Sequence, residues 1–90
     1  MKRLFSVRVS NKAEKQVRDL DSKMRERVIT LFKVLEESPV PARQYDLLKL
    51  GGKQDSYRIR LSSYRVLYTV FPNEKIVRIV KVERRTDNTY

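Results

Sequence analysis

Ninety residues with 21 lysines and arginines against 11 acids carry a net charge of +10 and an isoelectric point near 10.2. That length holds one modest core, and that charge calls for a polyanionic partner, of which nucleic acid is the commonest. The chain has no cysteine and no histidine, which excludes disulfides, thiolate metal sites and an imidazole base, so neither metal nor cofactor is expected.

The basic excess is spread evenly, with twelve basic against seven acidic residues in 1–50 and nine against four in 51–90, so it is not an appended tail. No apolar run is long enough for a signal peptide or a membrane span, and the expectation is a cytoplasmic protein without membrane contact.

Phe5, Val7 and Val9 alternate with Ser6 and Arg8, which predicts a first strand over about residues 3–9. Asn11 with Glu14 three residues on resembles a capping box for a short helix whose Ala13, Val17 and Leu20 share one face. Asp21 or Ser22 can cap a second helix, where Met24, Val28, Leu31, Phe32 and Leu35 recur at helical spacing until Pro39 and Pro41 end it. Residues 38–55 read as an irregular connection closed by Gly51-Gly52. Strands follow near 56–61, 64–71 and 76–83, with turns at Ser62-Ser63 and Pro72-Asn73-Glu74-Lys75. In the last strand Ile76, Val77, Ile79, Val80 and Val82 do not alternate cleanly, which predicts burial on both faces and leaves the register open. The order β-α-α-β-β-β predicts a single α+β domain over 1–90, an antiparallel sheet with two N-terminal helices packed on one face.

A turn at Ser62-Ser63 sets Leu61 opposite Tyr64, Arg60 opposite Arg65 and Ile59 opposite Val66. Tyr57, Ile59, Leu61, Tyr64, Val66 and Tyr68 then form a continuous apolar face, so these tyrosines are core residues rather than stacking platforms. Arg58, Arg60 and Arg65 share the other face. Arginines at alternate strand positions ordinarily mark a solvated surface, but directly opposed like charges destabilise a sheet. Three guanidiniums together imply an anion with planar oxygens, such as a phosphodiester.

Leu47-Leu48-Lys49-Leu50-Gly51-Gly52, Tyr57-Arg58-Ile59-Arg60-Leu61, Tyr64-Arg65-Val66-Leu67-Tyr68, and Arg84-Arg85 closing a Val/Ile-rich strand together resemble the RelE-type toxins of the RelE/ParE superfamily. The resemblance spans the chain in length and element order. It implies a small α+β domain of the microbial-RNase type that cleaves messenger RNA in the ribosomal A site and so inhibits translation. It also implies a RelB-like antitoxin that wraps around the toxin, and DNA contact only through the antitoxin complex. By resemblance Arg58 and Arg60 are the basic pair of one strand, Arg65 is the arginine after the next strand's tyrosine, Arg85 is the transition-state arginine and Tyr90 the C-terminal tyrosine. Two departures stand out: Ser62-Ser63 replaces a glycine-containing turn, and Glu83-Arg84 stands where a histidine often precedes the last arginine.

RNA cleavage through its own 2′-OH needs no external nucleophile and no metal; it needs in-line alignment and positive charge at the pentacoordinate phosphate. In this reading Arg58, Arg65, Arg85 and Tyr90 are the catalytic set, the tyrosine stacking on a base or taking a proton. Lys49, Lys53, Arg60 and Arg84 are the RNA contacts. Glu83 and Asp87 read as salt-bridge partners of neighbouring arginines. Two other functions use the same features: a ParE-type toxin that acts on DNA gyrase by protein contact, a branch generally lacking the arginine set and terminal tyrosine, and a basic structural RNA-binding domain.

Overall fold

The computed structural model describes residues 4–52 and 55–85; Lys53, Asp87 and Tyr90, singled out above, lie outside them. The chain runs β1 (Ser6–Val9), α1 (Asn11–Arg18), α2 (Ser22–Glu37), β2 (Asp46–Leu50), β3 (Asp55–Leu61), β4 (Tyr64–Phe71) and β5 (Ile76–Arg84).

Asp21 caps α2 by accepting the Met24 N–H at 2.8 Å, and Met24, Val28, Leu31 and Leu35 form its buried stripe. The cap of α1 is Ser10 rather than Asn11: its Oγ accepts from the Ala13 N–H at 3.1 Å. Arg25 is a structural arginine, donating from its guanidinium to the carbonyls of Leu20 at 2.6 Å, Arg18 at 3.3 Å and Val17 at 3.4 Å. It thereby supplies donors to the Arg18 and Leu20 carbonyls at and just past the end of α1 and adds a second one to the Val17 carbonyl, which already accepts from the Leu20 N–H.

Five strands form one sheet in the order β1-β5-β4-β3-β2. The α+β class and the helices on one face are as expected, but the sheet is mixed, because β1 runs parallel to β5 while the other neighbours are antiparallel. The chain leaves β1 into two helices before re-entering the sheet, and a long crossover permits parallel pairing where a tight turn does not. The stretch read as an irregular connection contains β2, an edge strand pairing Leu47 with Ile59 and Leu48 with Arg58. Its pattern Asp-Leu-Leu-Lys-Leu hides the alternation, because only Leu47 turns toward the core while Leu48 stands 49% exposed.

Both helices cover one face of the sheet. Ala13, Leu20, Val28, Leu31 and Leu35 pack there against Ile59, Leu61, Val66, Tyr68, Val70, Val77, Ile79 and Val82, with Tyr57 and Tyr64 at the margin. Tyr68, 1% exposed, stacks on Tyr57 and donates its hydroxyl to the Pro39 carbonyl at 2.8 Å. Burial, and secondarily Tyr57, push its phenol well above the usual range.

The β3–β4 register is the one read from the sequence, with Arg60 opposite Arg65, and Ser62 takes φ 55° at the turn. In β5 the pairing with β4 shifts so that Leu67 opposes Lys81 and Tyr68 opposes Ile79, leaving Val80 as the extra residue of a bulge. The broken alternation of this strand is therefore a change of phase rather than burial on both faces: Val77, Ile79 and Val82 are buried while Val80 is 41% exposed. Helix α1 supplies the partners the bulge lacks. Ser10 Oγ donates to the Val80 carbonyl at 3.1 Å, and Gln16 Oε1 accepts the Val82 N–H at 2.8 Å.

Candidate functional site

Among the described residues nothing covers the sheet face opposite the helices, which carries the candidate residues in rows across four strands. One row is Asp46, Arg60, Arg65 and Glu83; the next is Leu48, Arg58, Leu67 and Lys81. The change of phase at Val80 brings Lys81 and Glu83 to this face. A strand without the bulge would turn them to the helices.

The three guanidiniums are together, as expected, but not uncompensated. Asp46 Oδ1 and Oδ2 lie 3.6 Å from Arg58 Nη2 and 3.5 Å from Arg60 Nη1. Glu83 lies 3.0 Å from Arg65 Nε and 3.5 Å from Lys81 Nζ. The row thus alternates in pairs, acid, base, base, acid, and the outer carboxylates offset the repulsion at its centre. Glu83 is the ion-pair partner the sequence suggests. Asp46 and Lys81 join the site without such a signal: the periodicity of β2 does not announce a strand, and Lys81 sits beyond a bulge that composition does not mark.

These pairs leave donors free. Arg58 is the most enclosed of the three, its side chain 16% exposed with its backbone between Leu48 and Leu67, and its Nε is buried without a hydrogen-bond partner. Arg65 Nε is close to Glu83 but its N–H is not aimed at the carboxylate, so the attraction is Coulombic rather than a hydrogen bond. The Asp46–Arg60 pair, with both side chains about half exposed, contributes about 0–1 kcal/mol, little enough for a phosphate to exchange with that carboxylate.

Arg85 is held at the end of the row. Its N–H donates to the Ser63 carbonyl at 2.7 Å and its Nη1 to the Ser62 carbonyl at 3.3 Å, both in the turn that joins the strands of Arg60 and Arg65. Arg84 and Lys49 stand elsewhere. Arg84, opposite Tyr64, places its guanidinium 5.8 Å from that ring's centroid, on the helix side of the sheet; Lys49, opposite Tyr57, alternates to the same side and is exposed. Among the described residues no group of three or more acidic side chains stands close enough to hold a metal, and no helix is long and apolar enough to cross a membrane.

A two-helix layer on one face of a five-stranded mixed sheet is the fold of the small α+β toxins of the RelE type. The chain matches the family model described as the ParE toxin of type II toxin–antitoxin systems over residues 7–89, and it belongs to that family. A Methanocaldococcus jannaschii protein assigned as toxin RelE1 is 30% identical over 81 residues, covering 90% of both chains. In the archaeal RelE–RelB complex from Pyrococcus horikoshii, one chain superposes with a TM-score of 0.87 at 31% identity, covering 93% of this chain and 98% of that one. The isolated E. coli RelE toxin gives 0.74 at 30% identity, covering 93% and 87%.

Proposed function

We propose that this chain is the toxin of a RelBE-type pair, a cytoplasmic, metal-independent endoribonuclease that cuts messenger RNA on the ribosome. The observation that carries this reading is the arginine row: Arg58, Arg60 and Arg65 on one bare sheet face, with Arg85 tied to the turn between the two central arginines. The RelE relatives found by sequence and by structure support the same branch.

In the reaction the 2′-oxygen attacks the adjacent phosphorus and the 5′-oxygen leaves, taking up a proton, to give a 2′,3′-cyclic phosphate and a free 5′-hydroxyl. The protein's task is to neutralise the charge gathering on the phosphate, and permanently charged forked guanidiniums suit it. Arg65 and Arg85 hold the scissile phosphate. Arg58, with its free buried Nε, and Arg60 grip the flanking backbone. Tyr90 is the candidate for base stacking or proton transfer, and alignment of the 2′-OH is left to transcript and ribosome. A RelB-like antitoxin, acidic and largely helical, would silence the toxin by covering a strongly basic surface.

Primer extension on ribosome-programmed message tests this reading. The expected result is cleavage at ribosome-bound codons with little cutting of the same RNA free in solution. Intact message together with inhibited gyrase would assign the chain to the gyrase-directed branch, and neither effect would leave a structural RNA-binding protein.

A further inference from the structure

The uncovered sheet face has a second basic corner at its other end. Arg8 and Arg78 are register partners in the parallel β1–β5 pair, and both are exposed. Arg58, Arg60, Arg65 and Lys81 of this face each have a carboxylate within 4 Å, whereas Arg8 and Arg78, like Arg85 at the far end of the arginine row, have none among the described residues. Directly opposed like charges without a counter-ion are a cost to the sheet. Diagonal to Arg78 stands Phe71, half-buried and paired with Ile76. Arg8, Arg78, Phe71 and Ile76 line one surface depression of about 530 Å³. Glu74 lines the same depression but has no ion pair with either arginine.

An unpaired guanidinium couple beside an aromatic ring fits a single-stranded nucleic acid: forked donors for a phosphodiester, a ring face for a base of any sequence. We propose that this corner is a second RNA subsite, in which Arg8 and Arg78 hold a backbone phosphate and Phe71 stacks a base several nucleotides from the scissile bond. Phe71 lies six residue steps along β4 from Arg65, about 20 Å at ~3.3 Å per residue, so the subsite lies outside the reacting dinucleotide and sets affinity rather than chemistry. It deepens the RNA-cleavage reading and rests on it for the nature of the ligand.

The test is fluorescence anisotropy with a labelled single-stranded RNA decamer and a trinucleotide, with Arg65→Ala measured in parallel. The Arg8→Ala/Arg78→Ala double variant is expected to bind the decamer more weakly, and the slope of log affinity against log salt should fall by about 0.7 for each phosphate that is no longer neutralised. Phe71→Leu, which keeps the apolar volume, should weaken decamer binding at least about fivefold, the low end for one stacked base. Phe71→Tyr should retain it, and trinucleotide binding should be unchanged in these variants of the corner while Arg65→Ala weakens it. A double variant that binds the decamer like the parent at the same salt slope overturns the subsite. So does a parent that ignores the decamer at low salt, or a double variant whose only defect is in binding an acidic helical peptide, which would mark a protein-binding surface. Failure of the cleavage reading appears separately, as intact ribosome-programmed message with the parent chain, and leaves the anisotropy result to be read on its own.

Discussion

Arg65 and Glu83 face each other directly across β4 and β5, with Nε and Oε2 3.0 Å apart and no hydrogen bond between them. The carboxylate holds the guanidinium in the row without consuming its directional donors, and under the proposed RNA-cleavage reading it competes with the phosphate for that guanidinium. Glu83→Gln should therefore tighten RNA binding and steepen its salt dependence while shifting stability by no more than about 1 kcal/mol. Anisotropy across a salt series and a thermal melt check this; weaker binding by the variant would mean that Glu83 positions Arg65 rather than competing with RNA.

Arg85→Ala should lower cleavage by roughly 10²–10³-fold, the effect of removing one preorganised donor to the transition state. Its backbone bond to Ser63 survives the substitution and its side chain makes one exposed bond at 3.3 Å, so the melting temperature should barely move. Arg84→Ala and Lys49→Ala, on the other side of the sheet, should do much less. Ribosome-dependent cleavage assays with melts on the three variants are sufficient. Parent-like cleavage by Arg85→Ala would remove this residue from the catalytic set.

Gln16→Leu should act on the site from the opposite face of the sheet. Gln16 is the partner of the Val82 N–H just past the bulge, and an unpaired buried donor costs about 1–3 kcal/mol. The strand is then free to lose the phase that presents Lys81 and Glu83. The expected outcome is a lower melting temperature together with faster amide exchange at Val82. Gln16→Glu, which keeps the acceptor, should restore both.

Tyr68 predicts how stability changes at high pH. Its phenol is buried and its pKa raised in the folded chain, so the folded state holds the proton more tightly than the unfolded one. The contribution is fully present below the unfolded value of about 10 and is lost as pH rises above it. Alkaline melts should therefore fall from about pH 10 upward. Tyr68→Phe should flatten that fall, while costing about 1 kcal/mol near neutrality for the bond to the Pro39 carbonyl.

The arginine face and the apolar face of the β3–β4 hairpin were legible in the residues alone, because a turn at Ser62-Ser63 and a period of two leave one register. The α2 stripe was equally legible, since Met24, Val28, Leu31 and Leu35 repeat at the pitch of a helix. Neither reading needs knowledge of the rest of the chain. The parallel pairing of β1 and the charge row closed by Asp46 and Glu83 were not legible, because each depends on which other strand lies alongside, and the edge strand β2, though next to β3 in the chain, was hidden by the broken alternation of Asp46-Leu47-Leu48-Lys49-Leu50. The bulge at Val80 shows why: one extra residue reverses every side chain after it, and only the carbonyl and amide partners supplied by Ser10 and Gln16 of another element stabilise that reversal. Local periodicity determined which residues share a face within an element; tertiary hydrogen bonding decided which carboxylates meet the arginines.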